Sequence, residues 1–132
     1  MTDLPHVPVS WGELLDKITI LEIKRERIGD AAARGNVVRE LEMLEEIAAS
    51  AMQRGGILSL IDRLRGVNAA LWDIEDAIRE EDAAGRFGAE FVALARAVYT
   101  RNDERAAIKR AISAALGSAL VEEKSYKGLA AA

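Results

Sequence analysis

The chain has 132 residues, enough for one hydrophobic core, and we predict a single helical domain over residues 1–132. Half of the residues are hydrophobic but only 5% are aromatic, a balance that favours helices over a sheet. A formal net charge of −4, the absence of cysteine and a single histidine argue against nucleic-acid binding, a thiolate metal site and a histidine-based catalytic triad.

No apolar run reaches the roughly 18 to 20 residues that span a bilayer, and the first residues lack a secretory-signal pattern. We therefore expect a cytoplasmic protein that does not insert into a membrane. The sequence also lacks a nucleophile set, a metal-ligand set and a phosphate-binding loop. We expect no cofactor and no metal, and we assign no catalytic residue.

The first helix has a well-marked beginning. Residues 1–9 contain two prolines and are predicted to form an extended lead-in. Ser10 is a candidate N-cap, with Glu13 at the spacing of a capping box. The helix that follows is apolar on more than one side, through Leu14, Leu15, Ile18, Ile20, Leu21, Ile23 and Ile28.

The helix boundaries that follow are predicted from glycine and asparagine. Helix one should run to about Arg34, with Gly35 as the left-handed residue after it and Asn36 as the cap of helix two. Helix two should end at Gly55 and Gly56. Helix three then begins, and its apolar residues follow a heptad pattern: Ile57, Leu60, Leu64, Val67, Leu71, Ile74 and Ile78.

Gly66 interrupts helix three and suggests close approach by a neighbouring helix. A break over residues 85–88 separates helix three from helix four, which Gly117 ends. Residues 120–132 are predicted to be a short C-terminal segment and tail. Short connections between long helices predict an antiparallel bundle of about four helices. The surplus of apolar surface favours a homodimer, and a three-helix arrangement completed by a second chain is the main alternative.

Polar side chains interrupt the apolar faces of three helices. Arg25 lies on helix one, Asn68 on helix three, and Asn102 and Arg105 on helix four. A buried guanidinium must meet a carboxylate, reach solvent or face a ligand. The candidate carboxylate partners are Glu22, Asp73, Glu75, Asp76 and Asp103.

The alternative is a pocket for an anionic small molecule, since arginine and asparagine side chains suit bidentate recognition of phosphate or carboxylate. Lys109 belongs to this candidate site, and Lys17 and Tyr99 are possible additions. Trp11 and Trp72 are interpreted as core or dimer-seam residues rather than as residues that stack on a ligand. Mixed charges around Arg25 and Arg105 indicate a solvated face rather than a nucleic-acid surface.

Four segments carry a resemblance to a known family: SWGELLDKITILEIKRERI at 10–28, LWDIEDAIREE at 71–81, RAVYTRNDERAAIKRAI at 96–112 and EEKSYKG at 122–128. They resemble a family of small uncharacterised bacterial proteins, catalogued as a domain of unknown function. The resemblance implies no catalytic residues. It implies an association with surface-polysaccharide genes. The surplus apolar surface and the lack of a nucleophile, metal-ligand set or phosphate loop indicate an interaction module, which we expect to bind a protein partner in such a pathway.

A second comparison is with the chorismate mutases, which are also small helical proteins with arginines inside a helix-swapped dimer. Residues 31–36, taken as the first loop, contain only one basic residue, Arg34, where that family carries an arginine and lysine pattern. The main functional prediction is therefore a helical interaction module. An anion-binding protein or enzyme with an inter-helix arginine and asparagine pocket is the alternative.

Overall fold

The computed structural model describes residues 3–118, 123 and 125, and within them the chain is helical with no strand. The four α-helices are α1 (Trp11–Arg27), α2 (Ala31–Ala48), α3 (Ile57–Ala83) and α4 (Ala89–Leu116). A short 3-10 helix, Ala51–Gln53, lies between α2 and α3. The predicted all-α fold, a bundle of four helices, is confirmed.

The start of α1 is as predicted, and α4 completes its cap. Residues 3–10 are non-helical, and the Ser10 hydroxyl accepts a hydrogen bond from the backbone N–H of Glu13 at 3.1 Å. The first two N–H groups of α1 donate to serines at the end of α4. Trp11 N–H donates to Ser118 Oγ at 2.9 Å, and Gly12 N–H donates to Ser113 Oγ at 3.0 Å. Serines distant in sequence therefore satisfy helix-end donors that a local cap leaves open.

The boundary between α1 and α2 differs from the prediction. α1 ends at Arg27, because Ile28 is extended, and Asp30 caps α2 by accepting from the N–H of Ala33 at 2.8 Å. Gly35 and Asn36 lie inside the first turns of α2, so their predicted roles as helix end and cap are wrong. Residues 31–36, interpreted as a loop in the comparison with chorismate mutases, are helical.

Gly85 and Gly117 lie at helix ends as predicted, but the close helix contact predicted at Gly66 is not present. Gly85 and Gly117 have positive φ angles of 68° and 71° at the ends of α3 and α4, where a residue with a Cβ would be strained. A Cβ at Gly66 would have no atom within 4 Å, so the predicted close helix contact is absent there. The close contact lies at Gly12, which packs directly on the backbone of Lys109.

The core occupies only one end of the bundle. Its buried side chains come from α1, α2, the first half of α3 and the last half of α4, and they include Leu15, Leu41, Ile57, Leu64 and Ile112. α3 has 27 residues and α1 has 17, so α3 is about 15 Å longer. None of residues 69–107 is buried. The second half of α3 and the first half of α4 therefore form an antiparallel pair, which we call the hairpin, with no buried core of its own.

Candidate functional site

A buried polar cluster lies where α1, α3 and α4 meet. Asp16 on α1 is only 2% exposed, and Thr19 and Asn68 beside it are also buried. Asn68 Nδ2 donates to Asp16 Oδ1 at 3.0 Å and to Thr19 Oγ1 at 2.8 Å. The Thr19 hydroxyl donates to the carbonyl oxygen of Asp16 at 2.8 Å. The cluster therefore ties α3 to α1 through buried side chains.

Arg105 joins this cluster from α4. Its Nε donates to Asp16 Oδ1 at 2.8 Å, and a second nitrogen of the guanidinium donates to Asp16 Oδ2. Its Nη1 also lies 3.4 Å from Asn102 Oδ1. Arg105 thus has a carboxylate partner, but none of the predicted carboxylates is that partner. Glu22 pairs instead with Arg65, and Asp73 pairs with Arg27.

Asp16 is the residue that the sequence prediction missed. It lies seven residues, or about two helical turns, before Ile23. Asp16 is therefore on the same face of α1 as Ile23, within the widened apolar face. A carboxylate on such a face needs buried donors, which is a signal of a polar cluster. The sequence could not identify Arg105 as the donor, because the two residues are 89 positions apart.

A groove of about 500 Å³ opens beside the cluster. Its lining comes from α1, α3 and α4, and at the end of α1 Arg27 pairs with Asp73 of α3 at 2.5 Å. The side chains that line the groove are Ile20, Asn68, Leu71, Trp72, Glu75, Asp76, Arg79, Asn102 and Arg105. Three of the five predicted ligand-binding residues, Asn68, Asn102 and Arg105, therefore share one concave surface.

The other two predicted residues lie elsewhere. Lys109 is buried and its Nζ lies 2.8 Å from Glu13 Oε2, beside the N-terminus of α1. Arg25 is near the end of α1, about 13 Å along the helix from Asp16, and its carbonyl accepts from Arg34 Nε at 2.9 Å. Neither residue lines the groove. The structure does not bring all five together.

A second cavity of about 420 Å³ lies on the α2 side of Arg105. Lys17 lines it and forms an ion pair with Glu40 at 2.9 Å. Tyr99, the other suggested addition, is exposed on the hairpin. Trp11 packs against the core as predicted, whereas Trp72 is half-buried in the groove wall, with the Arg27 guanidinium 5.8 Å from its ring centroid.

The hairpin carries an apolar stripe of its own. Val92, Ala95 and Tyr99 recur at intervals of three and four on α4, and all three are exposed, Val92 by 51% and Tyr99 by 56%. Phe87 at the tip is exposed as well and meets Phe91 edge to face, with 5.2 Å between ring centroids. The spacing is that of a helix-packing seam. No helix of the described chain covers it.

The EEKSYKG segment lies outside the described residues except for two positions. Glu123 forms an ion pair with Arg110 of α4 at 2.7 Å, and Ser125 is exposed. Among the helices that the structure describes, none is both long and apolar enough to cross a bilayer. The same part of the chain holds no group of three or more histidine, aspartate or glutamate side chains placed to bind a metal ion.

The fold and the site define an all-helical bundle protein with a polar groove between three helices. The chain belongs to a family of unknown function, DUF6165, whose model matches residues 5–131. The predicted membership of an uncharacterised all-helical family is therefore confirmed. No curated protein and no solved structure matches the chain.

Proposed function

We propose that the protein is a helical interaction module that pairs with a second copy of itself through the hairpin. The observation that carries this proposal is the continuous stretch of residues 69–107, in which no side chain is buried. Two antiparallel helices cannot bury an apolar face by themselves, and the usual solution is a four-helix bundle. A second hairpin supplies the two missing helices.

Charge favours a second copy as the occupant. Residues 71–83, the α3 limb of the hairpin, contain six carboxylates and one arginine. Residues 86–101, on the α4 limb, contain three arginines and one glutamate. Arg86 pairs with Glu81 and Arg101 pairs with Glu104, so Arg96 is the arginine of this stretch that has no ion pair within the described residues. A two-fold axis lets the acidic limb of each copy lie against Arg96 of the other, and an isologous contact requires such self-complementarity.

The exposed stripe of Val92, Ala95 and Tyr99 supplies the apolar centre of the contact. Valine and tyrosine bury large apolar areas, and a tyrosine hydroxyl can stay at the wet rim of an interface. The charged side chains around the stripe then set orientation and partner choice more than affinity. The association with surface-polysaccharide pathways and with a further protein partner stays a prediction from the sequence resemblance.

The test compares two double substitutions of matched exposure. Val92→Glu with Tyr99→Glu places charges on the hairpin stripe. Met43→Glu with Ile47→Glu makes the same change on α2, where the two side chains are 49% and 61% exposed. We expect a dimer by sedimentation equilibrium at micromolar wild-type protein. The hairpin variant should weaken dimerisation at least about 30-fold, and the α2 variant should leave it unchanged.

Circular dichroism controls for folding, because all four positions are exposed and glutamate is a good helix former. The hairpin variant should keep the wild-type helix signal while losing the dimer. A monomeric wild type at about 100 μM would refute the proposal. Dissociation by the α2 substitutions, with the hairpin variant still dimeric, would place the interface elsewhere and refute it as well.

A further inference from the structure

The buried amide of Asn68 has a fixed orientation. Its Nδ2 group faces Asp16 Oδ1 and Thr19 Oγ1, and both of those oxygens act as acceptors there. An ionised carboxylate cannot donate, and the Thr19 hydroxyl already donates its hydrogen to the carbonyl oxygen of Asp16. The NH₂ group must therefore point into the cluster, and the carbonyl oxygen Oδ1 must lie on the other side of the amide.

That carbonyl oxygen accepts no hydrogen bond from the part of the chain that the structure describes. Asn68 is only 5% exposed, and it lines the groove. A buried acceptor without a donor is costly, so native structures supply a partner in nearly every case. The groove beside Asn68 is the space from which a water molecule or a ligand would donate.

The charged side chains that line the groove determine which ligand charge it favours. Glu75 and Asp76 line it, and within the described residues neither carboxylate forms an ion pair. Arg79 is the opposing charge, while the guanidinium of Arg105 is compensated by Asp16. The carboxylates outnumber the uncompensated guanidinium, which favours a neutral or cationic ligand over an anion.

The distance between Asn68 and Glu75 along α3 sets the length of ligand that could reach both. Asn68 and Glu75 are seven residues apart, which places them about 10 Å apart along the helix, and Glu75 leans back towards Asn68 as helix side chains do. Leu71 and Trp72 form an apolar wall between them. A volume of about 500 Å³ lies within the range of small-molecule sites.

We propose that the groove binds a small organic amine that has a hydrogen-bond donor at one end, an apolar body and an ammonium group at the other end. The donor binds Asn68 Oδ1, the body lies along Trp72, and the ammonium lies between Glu75 and Asp76. The proposal goes beyond the dimer, since Val92, Ala95 and Tyr99 supply none of the lining. Glu75 and Asp76 also belong to the acidic limb, so a control variant with the same charge change elsewhere on that limb, at Glu80 and Asp82, separates the two proposals.

Matched probes test each part of this assignment by NMR titration of the full chain. Tryptamine carries an indole N–H and an ammonium group, 1-methyltryptamine lacks the N–H, and indole-3-propionate replaces the ammonium with a carboxylate. 1,6-Diaminohexane is a flexible probe without a ring. The side-chain amides of Asn68 and Asn102 and the indole N–H of Trp72 report on the groove. The indole N–H of Trp11 serves as the reference signal outside it.

We expect tryptamine to shift the groove signals with a Kd of a few millimolar, the affinity usual for a molecule of this size. Removing the indole N–H should weaken binding about three- to tenfold, because Asn68 Oδ1 loses its donor. Glu75→Gln with Asp76→Asn should weaken tryptamine binding at least about threefold. Glu80→Gln with Asp82→Asn makes the same charge change on α3 away from the groove and should have no effect.

Three results would overturn the assignment. The first is tighter binding of indole-3-propionate than of tryptamine, which would make the groove an anion site. The second is equal weakening by the Glu75/Asp76 and Glu80/Asp82 substitutions. The third is the absence of groove shifts with both tryptamine and 1,6-diaminohexane at 20 mM, which would leave water as the donor to Asn68.

Discussion

The carboxylate of Asp16 offers the sharpest test of how the bundle is held together. It accepts hydrogen bonds from two nitrogens of the Arg105 guanidinium and from Asn68 Nδ2. Asp16→Ala would remove all three at once. The guanidinium would lose the buried carboxylate that accepts from two of its nitrogens, and the Asn68 amide would keep only Thr19 as an acceptor.

The size of the effect follows from the burial of the partners. Removing one member of a buried ion pair costs about 3–5 kcal/mol, because the remaining charge is left uncompensated. The Arg105 side chain is 27% exposed, so water can solvate part of the guanidinium after Asp16 is removed. We therefore expect the lower end of that range, about 3 kcal/mol of unfolding free energy, which corresponds to a fall of about 10 °C in Tm.

Urea unfolding followed by circular dichroism measures this loss, at one protein concentration because dimerisation couples to stability. Glu42→Ala on α2 is the control, since Glu42 is exposed, and its effect should stay below about 0.5 kcal/mol. Asp16→Leu combined with Arg105→Met should recover most of the loss, because an apolar pair leaves no unpaired charge. A cost below about 1 kcal/mol for Asp16→Ala would refute the reasoning.

Two further predictions use the same unfolding assay. Gly12→Ala should lower stability by about 2 kcal/mol, since the added methyl group would clash with the backbone of Lys109, whereas Gly66→Ala should raise it by about 1 kcal/mol, since a methyl group there meets no atom. Equal effects of the two changes would contradict the assigned helix contact. Asp30→Ala should cost about 1 kcal/mol through loss of the α2 cap, and Asn36→Ala less than about 0.5 kcal/mol. The reverse order would favour a helix boundary at residue 35.

Local signals explain which parts of the fold could be predicted. The Ser10 cap, the end of α4 at Gly117 and the start of α3 at Ile57 depend on residues within one or two turns of each boundary. The boundary between α1 and α2 was harder, because two sites carry suitable residues. Gly35 and Asn36 have the residue types of a helix end, but Asp30 has a side chain that caps Ala33, and this earlier site is the one used.

The residues of the candidate site were also predictable only where local signals identify them. Periodicity placed Asn68, Asn102 and Arg105 on otherwise apolar faces, and the structure brings these three to one groove. It also included Arg25 and Lys109, which lie elsewhere, because helix phase gives a direction around the axis but not a neighbour. Asp16 was missed for a related reason: a carboxylate inside an apolar face signals a buried partner without saying which helix supplies it.

The sequence by itself determined that the chain is all-helical, where three of the four helices begin, and which polar side chains interrupt the apolar faces. These properties depend on capping and on helical periodicity, which act over a few residues. Only the tertiary structure decided that Asp16 pairs with Arg105, that Gly12 is the close helix contact and that the hairpin extends beyond the core. Each depends on how helices distant in sequence pack together, and the same local pattern is compatible with several such packings.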